Sequence, residues 1–160
     1  MKYLAHRDQE FEREQSLIDH LEETAELAGQ YAEAFGAYLW GYCAGLLHDI
    51  GKYSQEFQRR IRGSEEQVDH ATAGAQLCHE KKGDYSLLSY CIAGHHAGLA
   101  DTGTRNDRSN MPTLYGRLKK QIPDYNAYKG EIQIPQLMEL PFVIQNRKEA
   151  GFASAMFIRM

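Results

Sequence analysis

The feature that most constrains this chain is the run from Tyr38 to Ile50, which is apolar on nearly every side. A helix without a polar face is stable only when protein surrounds it. The run therefore reads as a buried central helix, stopped at Gly51, around which the other segments must pack. It ends in His48 and Asp49, two side chains that are costly inside a core unless they find partners. Adjacent helical residues diverge by about 100°. The carboxylate can thus bridge two metals while the neighbouring imidazole binds one.

The flanking sequence supplies further helices. Ser16 caps one whose apolar stripe is Leu17, Leu21, Ala25, Ala28, Ala32 and Phe35, with Gly36 as the stop. Ser54 opens a short helix carrying Phe57 and Ile61 and ended by Gly63. Asp69 caps a helix reaching about Lys82, where Gly83 stops it, and Ser86 opens another running from Leu87 to about His96. Residues 97–113 are rich in Gly, Asp, Asn and Thr and read as a long loop, a kind of segment that is usually functional or disordered. Leu114 to Ile122 reads as a short helix. Ile132 to Phe142, with two prolines, reads as extended or irregular. Gln145 to Met160 returns to helix, with Phe152, Ala155, Met156 and Arg159 at helical spacing. The chain stops on that apolar helix without a cap, which reads as a cut rather than a natural terminus. Exposed apolar side chains there favour association or local disorder, so a dimer through this helix, or a poorly ordered C-terminal stretch, is expected.

A length of 160 residues suits one domain, and a hydrophobic share of 42% is enough for one core. No apolar run approaches the roughly 18 residues of a membrane span, and Met1 to Glu14 has no apolar h-region. Cys43, Cys78 and Cys91 lack CxxC spacing and read as reduced thiols, so a cytoplasmic protein without a membrane partner is expected. The net charge of −4 argues against gripping nucleic acid through charge alone. It leaves room for a nuclease whose bound cations offset the charge locally. The basic clusters, such as Arg117, Lys119 and Lys120, read as solvated faces.

Five of the seven histidines, His20, His48, His70, His95 and His96, lie at helix ends or on an apolar helix face. Each alone is ordinary: His20 as a core histidine, His95-His96 as a helix-end pair, His70 as a residue near a helix start. Together they change the reading, because small residues accompany them. Gly45 precedes His48; Ala71, Ala73 and Gly74 follow His70; Gly94 precedes His95 and Ala97-Gly98 follows His96. Small residues let backbones approach and ligands converge. Imidazole with carboxylate suits Mn, Fe, Co, Ni or Zn, whereas an all-oxygen shell suits Mg.

These residues also carry a resemblance. Tyr3-Leu4-Ala5-His6, Gln15-Ser16-Leu17 with His20-Leu21, and Gly45-Leu46-Leu47-His48-Asp49-Ile50-Gly51-Lys52-Tyr53-Ser54 with Phe57-Gln58 are the first runs. Val68-Asp69-His70-Ala71-Thr72-Ala73-Gly74-Ala75 and Ala93-Gly94-His95-His96-Ala97-Gly98-Leu99 follow. Over residues 3–99 the chain resembles the HD superfamily. More narrowly, it is similar to the HD nuclease domain of the CRISPR type I nuclease-helicase in its type I-C form. The resemblance implies an all-α HD-domain helical bundle over residues 1–160, incomplete at its C-terminus and without the helicase domains. It implies two divalent metal ions, a transition metal (Mn, Co, Ni or Fe) rather than Mg. His20, His48 and Asp49 would hold the first metal. Asp49 as bridge, with His70, His95 and His96, would hold the second. Asp49 and Lys52 would be catalytic, Lys52 facing the phosphate; His6 and His79 match no ligand position and read as surface or loop residues. The family's further aspartate for the first metal lies beyond this sequence, and Asp101, Asp107 and Asp124 match no such motif, so slowed activity is expected.

The implied function is a metal-dependent endonuclease cleaving single-stranded DNA in CRISPR antiviral interference. Its implied partners are that strand, the helicase domains of the same full-length protein and the crRNA-guided surveillance complex. Two alternatives remain at this point: an HD phosphohydrolase acting on a nucleotide, and a non-catalytic metal-binding fragment.

Overall fold

The computed structural model describes residues 2–8, 10, 13–81, 85–137, 140 and 146–159. Its helices are α1 (Leu17–Glu33), α2 (Tyr38–Leu47), α3 (Gln55–Ile61), α4 (Ala71–Lys81), α5 (Tyr85–Gly94), α6 (Leu114–Leu118) and α7 (Arg147–Arg159). Short 3-10 turns cover Ile50–Tyr53 and Asn126–Gly130. The mainly helical architecture agrees with the expected HD-type bundle.

Local chemistry explains the helix starts. The Ser16 side chain accepts from the Asp19 amide at the head of α1, and Ser54 does the same for Phe57 at the head of α3. Asp69 accepts from the amide and the hydroxyl of Thr72 and so caps α4. Gly36 and Gly63 stop their helices as expected, with φ of 71° and 114°, a region glycine enters without steric penalty. The expected stop at Gly83 lies outside the described residues.

The core forms where α1 and α2 lie against each other and α4 and α5 close over them. Leu17, Leu21, Cys43, Leu47, Ile50 and Ile92 are at most 1% exposed, so the apolar run does fill the centre of the fold. A Cβ at Gly74 would collide with the Leu47 carbonyl oxygen. Only glycine lets α4 approach the end of α2 so closely, and that approach brings His70 to Asp49. The cysteines are free thiols, and burial pushes Cys43 up to about 11 and Cys78 up to about 12. No helix among the described residues is long and apolar enough to cross a membrane.

Two expectations are corrected. The central helix ends at Leu47, not Ile50, because the chain turns at His48–Asp49 into a 3-10 turn. Helix α5 ends at Gly94, so His95 and His96 lie in the turn after it. The N-terminal segment, for which the sequence suggested no element, supplies two strands. β1 (Leu4–Asp8) pairs antiparallel with β2 (Arg13–Ser16), with His6 opposite Gln15 and an irregularity between Leu4 and His6.

Residues 97–113 form the expected loop, crossed by a single bridge between Asp101 and Thr113. Residues 132–137 carry no regular element. The side chains of Phe152, Ala155, Met156 and Arg159, named for the last helix, lie outside what is described, as do residues 145 and 160.

Candidate metal centre

The structure brings the six expected ligand residues together from four places. His20 projects from the first turns of α1. His48 and Asp49 follow α2, His70 precedes α4, and His95 and His96 follow α5. The end of α2 matters most. His48 keeps helical angles, φ −58° and ψ −41°, whereas Asp49 leaves them at φ −112° and ψ 18°. That change of direction points the two side chains differently and seats the Asp49 carboxylate in the middle of the cluster.

Asp49 divides its oxygens between two groups. Oδ2 lies 3.3 Å from His20 Nε2, 3.2 Å from His48 Nε2 and 2.8 Å from Lys52 Nζ. Oδ1 lies 3.4 Å from both His70 Nε2 and His95 Nε2 and has no hydrogen-bond partner. The ligand atoms of His20, His48 and Asp49 fall within 4.8 Å of one another, and so do those of Asp49, His70, His95 and His96. Among the described residues no further carboxylate joins either group. Asp107 is engaged by the hydroxyls of Thr104 and Thr113, and Asp124 by Asn126.

The rings are held in the orientation a cation needs. His48 Nδ1 lies 2.6 Å from the Gly45 carbonyl and His95 Nδ1 lies 2.7 Å from the Ile92 carbonyl. A proton on each Nδ1 satisfies those carbonyls and leaves each Nε2 lone pair directed at the centre, the usual outer hydrogen bond of a metal-binding histidine. His70 Nε2 and His96 Nε2 face each other at 2.9 Å. Two imidazole nitrogens at that distance must share a proton or a cation.

At Asp49, His70 and His96 the electrostatics favour the states that bind metal. Burial alone would raise the Asp49 pKa, but the imidazoles of His20, His48 and His95 beside it outweigh burial and hold the carboxyl well below the usual range. Burial pushes His70 down; burial and the neighbouring His95 push His96 down. Burial also acts downward on His95, but Asp49 and the Ile92 carbonyl outweigh it and leave that ring raised. A buried, ionised carboxylate with one orphaned oxygen, facing imidazole nitrogens, fits a divalent cation: a cation would supply the partner Oδ1 lacks.

Lys52 is buried at 5% exposure, pairs with Asp49 and donates to the Ala5 carbonyl at 3.2 Å. It therefore sits against the shared carboxylate rather than reaching outward. His79 stands apart, with its ring edge-on to Tyr115, in line with its reading as a surface residue.

Two residues of the site were not foreseen as such. His6 is exposed on β1, with its ring 5.0 Å from that of His20 and at 84° to it. Burial, then the charges of Lys52 and His20, pushes its pKa down. Gln58, fully buried, accepts from the Leu4 amide and donates to the Leu4 and Lys52 carbonyls, and so fastens β1 beside the cluster. Both lie in runs that carry the family resemblance, and that was the available signal.

Comparison with known proteins agrees with this geometry. The HD domain family matches residues 17–127, and the chain belongs to that family of metal-dependent phosphohydrolases. It is also similar to Ribonuclease Y of Thermobifida fusca (strain YX), 39% identical over 84 residues. That match takes in 51% of this chain and spans 15% of the relative's length.

Proposed function

We propose that this chain is a nuclease domain that hydrolyses phosphodiester bonds of single-stranded DNA in CRISPR interference. The observation that carries the reading is the division of Asp49, one oxygen toward His20 and His48 and the other toward His70 and His95. That arrangement suits two cations against one phosphate. Divalent cations held there supply Lewis-acid polarisation of the phosphate and a nucleophile at neutral pH. Five imidazoles with one carboxylate favour Mn, Co, Ni or Fe over Mg.

The chain's own residues do the rest. Asp49 holds the two histidine groups in register. The Gly45 and Ile92 carbonyls keep His48 and His95 in the binding tautomer. Lys52 offers positive charge at the inner edge of the site, where a phosphate oxygen would gain negative charge. The exposed His96 and the loop at residues 97–113 leave the opposite edge open to an extended strand. The runs around His70 and His95-His96 favour the CRISPR setting. There the partners would be the helicase domains of a longer protein, the crRNA-guided surveillance complex and the displaced strand.

Similarity to a protein named as a ribonuclease makes single-stranded RNA the second reading. One experiment separates the possibilities. Protein reconstituted with manganese is offered single-stranded DNA, single-stranded RNA, a dNTP and a cyclic nucleotide, and the products are resolved. Internal cuts in DNA are expected. Cleavage of RNA alone favours the second reading, hydrolysis of nucleotides alone refutes a nuclease, and bound metal without hydrolysis leaves a binding fragment.

A further inference from the structure

His6 lies at the edge of the metal centre, beside His20. Its backbone is not free to move away, because Gln58 holds both polar groups of Leu4, at 3.0 Å and 2.9 Å, and Lys52 holds the Ala5 carbonyl. Two consecutive residues of β1, Leu4 and Ala5, are thus set against the cluster by side chains from the segment that follows Asp49. The ring stands edge-on to His20, as close to it as His20 is to His48, whose ring lies 5.2 Å away. Yet His6 belongs to neither group of mutually close ligand atoms. It is a site histidine in position and an outsider in ligation.

The donors nearby are largely committed. His48 and His95 direct Nδ1 to backbone carbonyls. Lys52 directs one N–H to Asp49 and another to Ala5. A phosphate oxygen at the edge marked by His20 would need an N–H donor to replace its water. The His6 side chain is exposed there and makes no hydrogen bond among the described residues.

We propose that His6 is a further substrate-contacting residue, whose imidazole N–H donates a hydrogen bond to a phosphate oxygen of the bound strand. The inference rests on the phosphodiester reading above. It assigns the N-terminal hairpin to the substrate side of the site rather than to the metals.

The test measures inorganic phosphate binding to the manganese-loaded protein by calorimetry, with metal content determined on the same samples. His6→Ala is expected to weaken phosphate binding about five-fold, the effect of one hydrogen bond, with metal content unchanged. His6→Gln, which keeps an N–H donor, is expected to recover part of that loss. Unchanged phosphate affinity in His6→Ala would overturn the proposal. So would a fall in metal content, which would make His6 a ligand. Cleavage of single-stranded DNA by the wild-type protein is scored separately. His6-dependent phosphate binding without cleavage would sink the nuclease reading and leave this inference standing.

Discussion

The pairing of Asp49 with Lys52 can be tested by substituting Asn for Asp49, which keeps the shape and removes the charge. The two side chains are 5% and 6% exposed and 2.8 Å apart, so solvent does little to screen them. Removing one charge leaves the other buried without its partner, at a cost of about 3–5 kcal/mol. We expect about 3 kcal/mol, the lower end, because the Ala5 carbonyl still accepts from Lys52. The assay is urea unfolding of the metal-free protein at neutral pH. Lys52→Met added to Asp49→Asn should restore at least about 1 kcal/mol, since the stranded ammonium is then gone. The pH dependence follows from the depressed Asp49 pKa. Stability from the ionised carboxylate is present above its unfolded pKa of about 3.9 and fades as pH falls toward the folded value. The gap between wild type and Asp49→Asn should therefore be full at neutral pH and narrow in acid below about pH 4. A loss under about 1 kcal/mol, or a double variant as unstable as the sum of the singles, would refute the reasoning.

Gly51→Ala should destabilise by about 2 kcal/mol and weaken metal binding, because its Cβ would meet the His70 carbonyl and lie 2.8 Å from His70 Cα; thermal melts and metal titration check both effects. Gln58→Leu should cost about 2 kcal/mol by leaving the Leu4 amide and carbonyl unpaired, with faster hydrogen exchange at Leu4 as the local signature. The raised His95 predicts opposite pH slopes with and without metal. Without metal, its proton adds stability below the unfolded pKa of about 6.5, and this is lost as pH rises through the folded value. With metal the ring must be neutral, so affinity should grow over that same rise, with proton release on binding measurable by calorimetry in two buffers.

Local signals in the sequence located most helices, because a cap or a stop acts within its own turn. Ser16, Ser54, Gly36 and Gly63 each did what its position implied. Where the determinant was distant, the reading fell short. The position of β1 is fixed by Gln58, 54 residues from Leu4, and no period in the segment itself announces that partner. The end of α2 was hidden for a different reason. Ile50 is as apolar and as buried as Leu47, so periodicity runs straight through the turn at Asp49. At the site, His20, His70 and His95 are each unremarkable alone and became legible only as a set. The link from Lys52 to Ala5 had no trace in the pattern, and so a lysine facing the phosphate was expected where one buried against Asp49 is found.

The Asp49–Lys52 contact also makes the two halves of the centre unequal. Oδ2 already has an ammonium against it, whereas Oδ1 faces imidazole nitrogens alone. A cation approaching His20 and His48 must compete with that ammonium at any ordinary pH; one approaching His70, His95 and His96 competes only with the His95 proton, which is lost as pH rises. If the centre takes two cations, as proposed, ordered loading is expected, with the Oδ1 side filling first and the Oδ2 side only at higher free metal. A titration should resolve two steps, and Lys52→Met should draw the second toward the first. Half-loaded protein would be a defined species, so the free-metal level of the surroundings could set how much of the protein carries a complete centre.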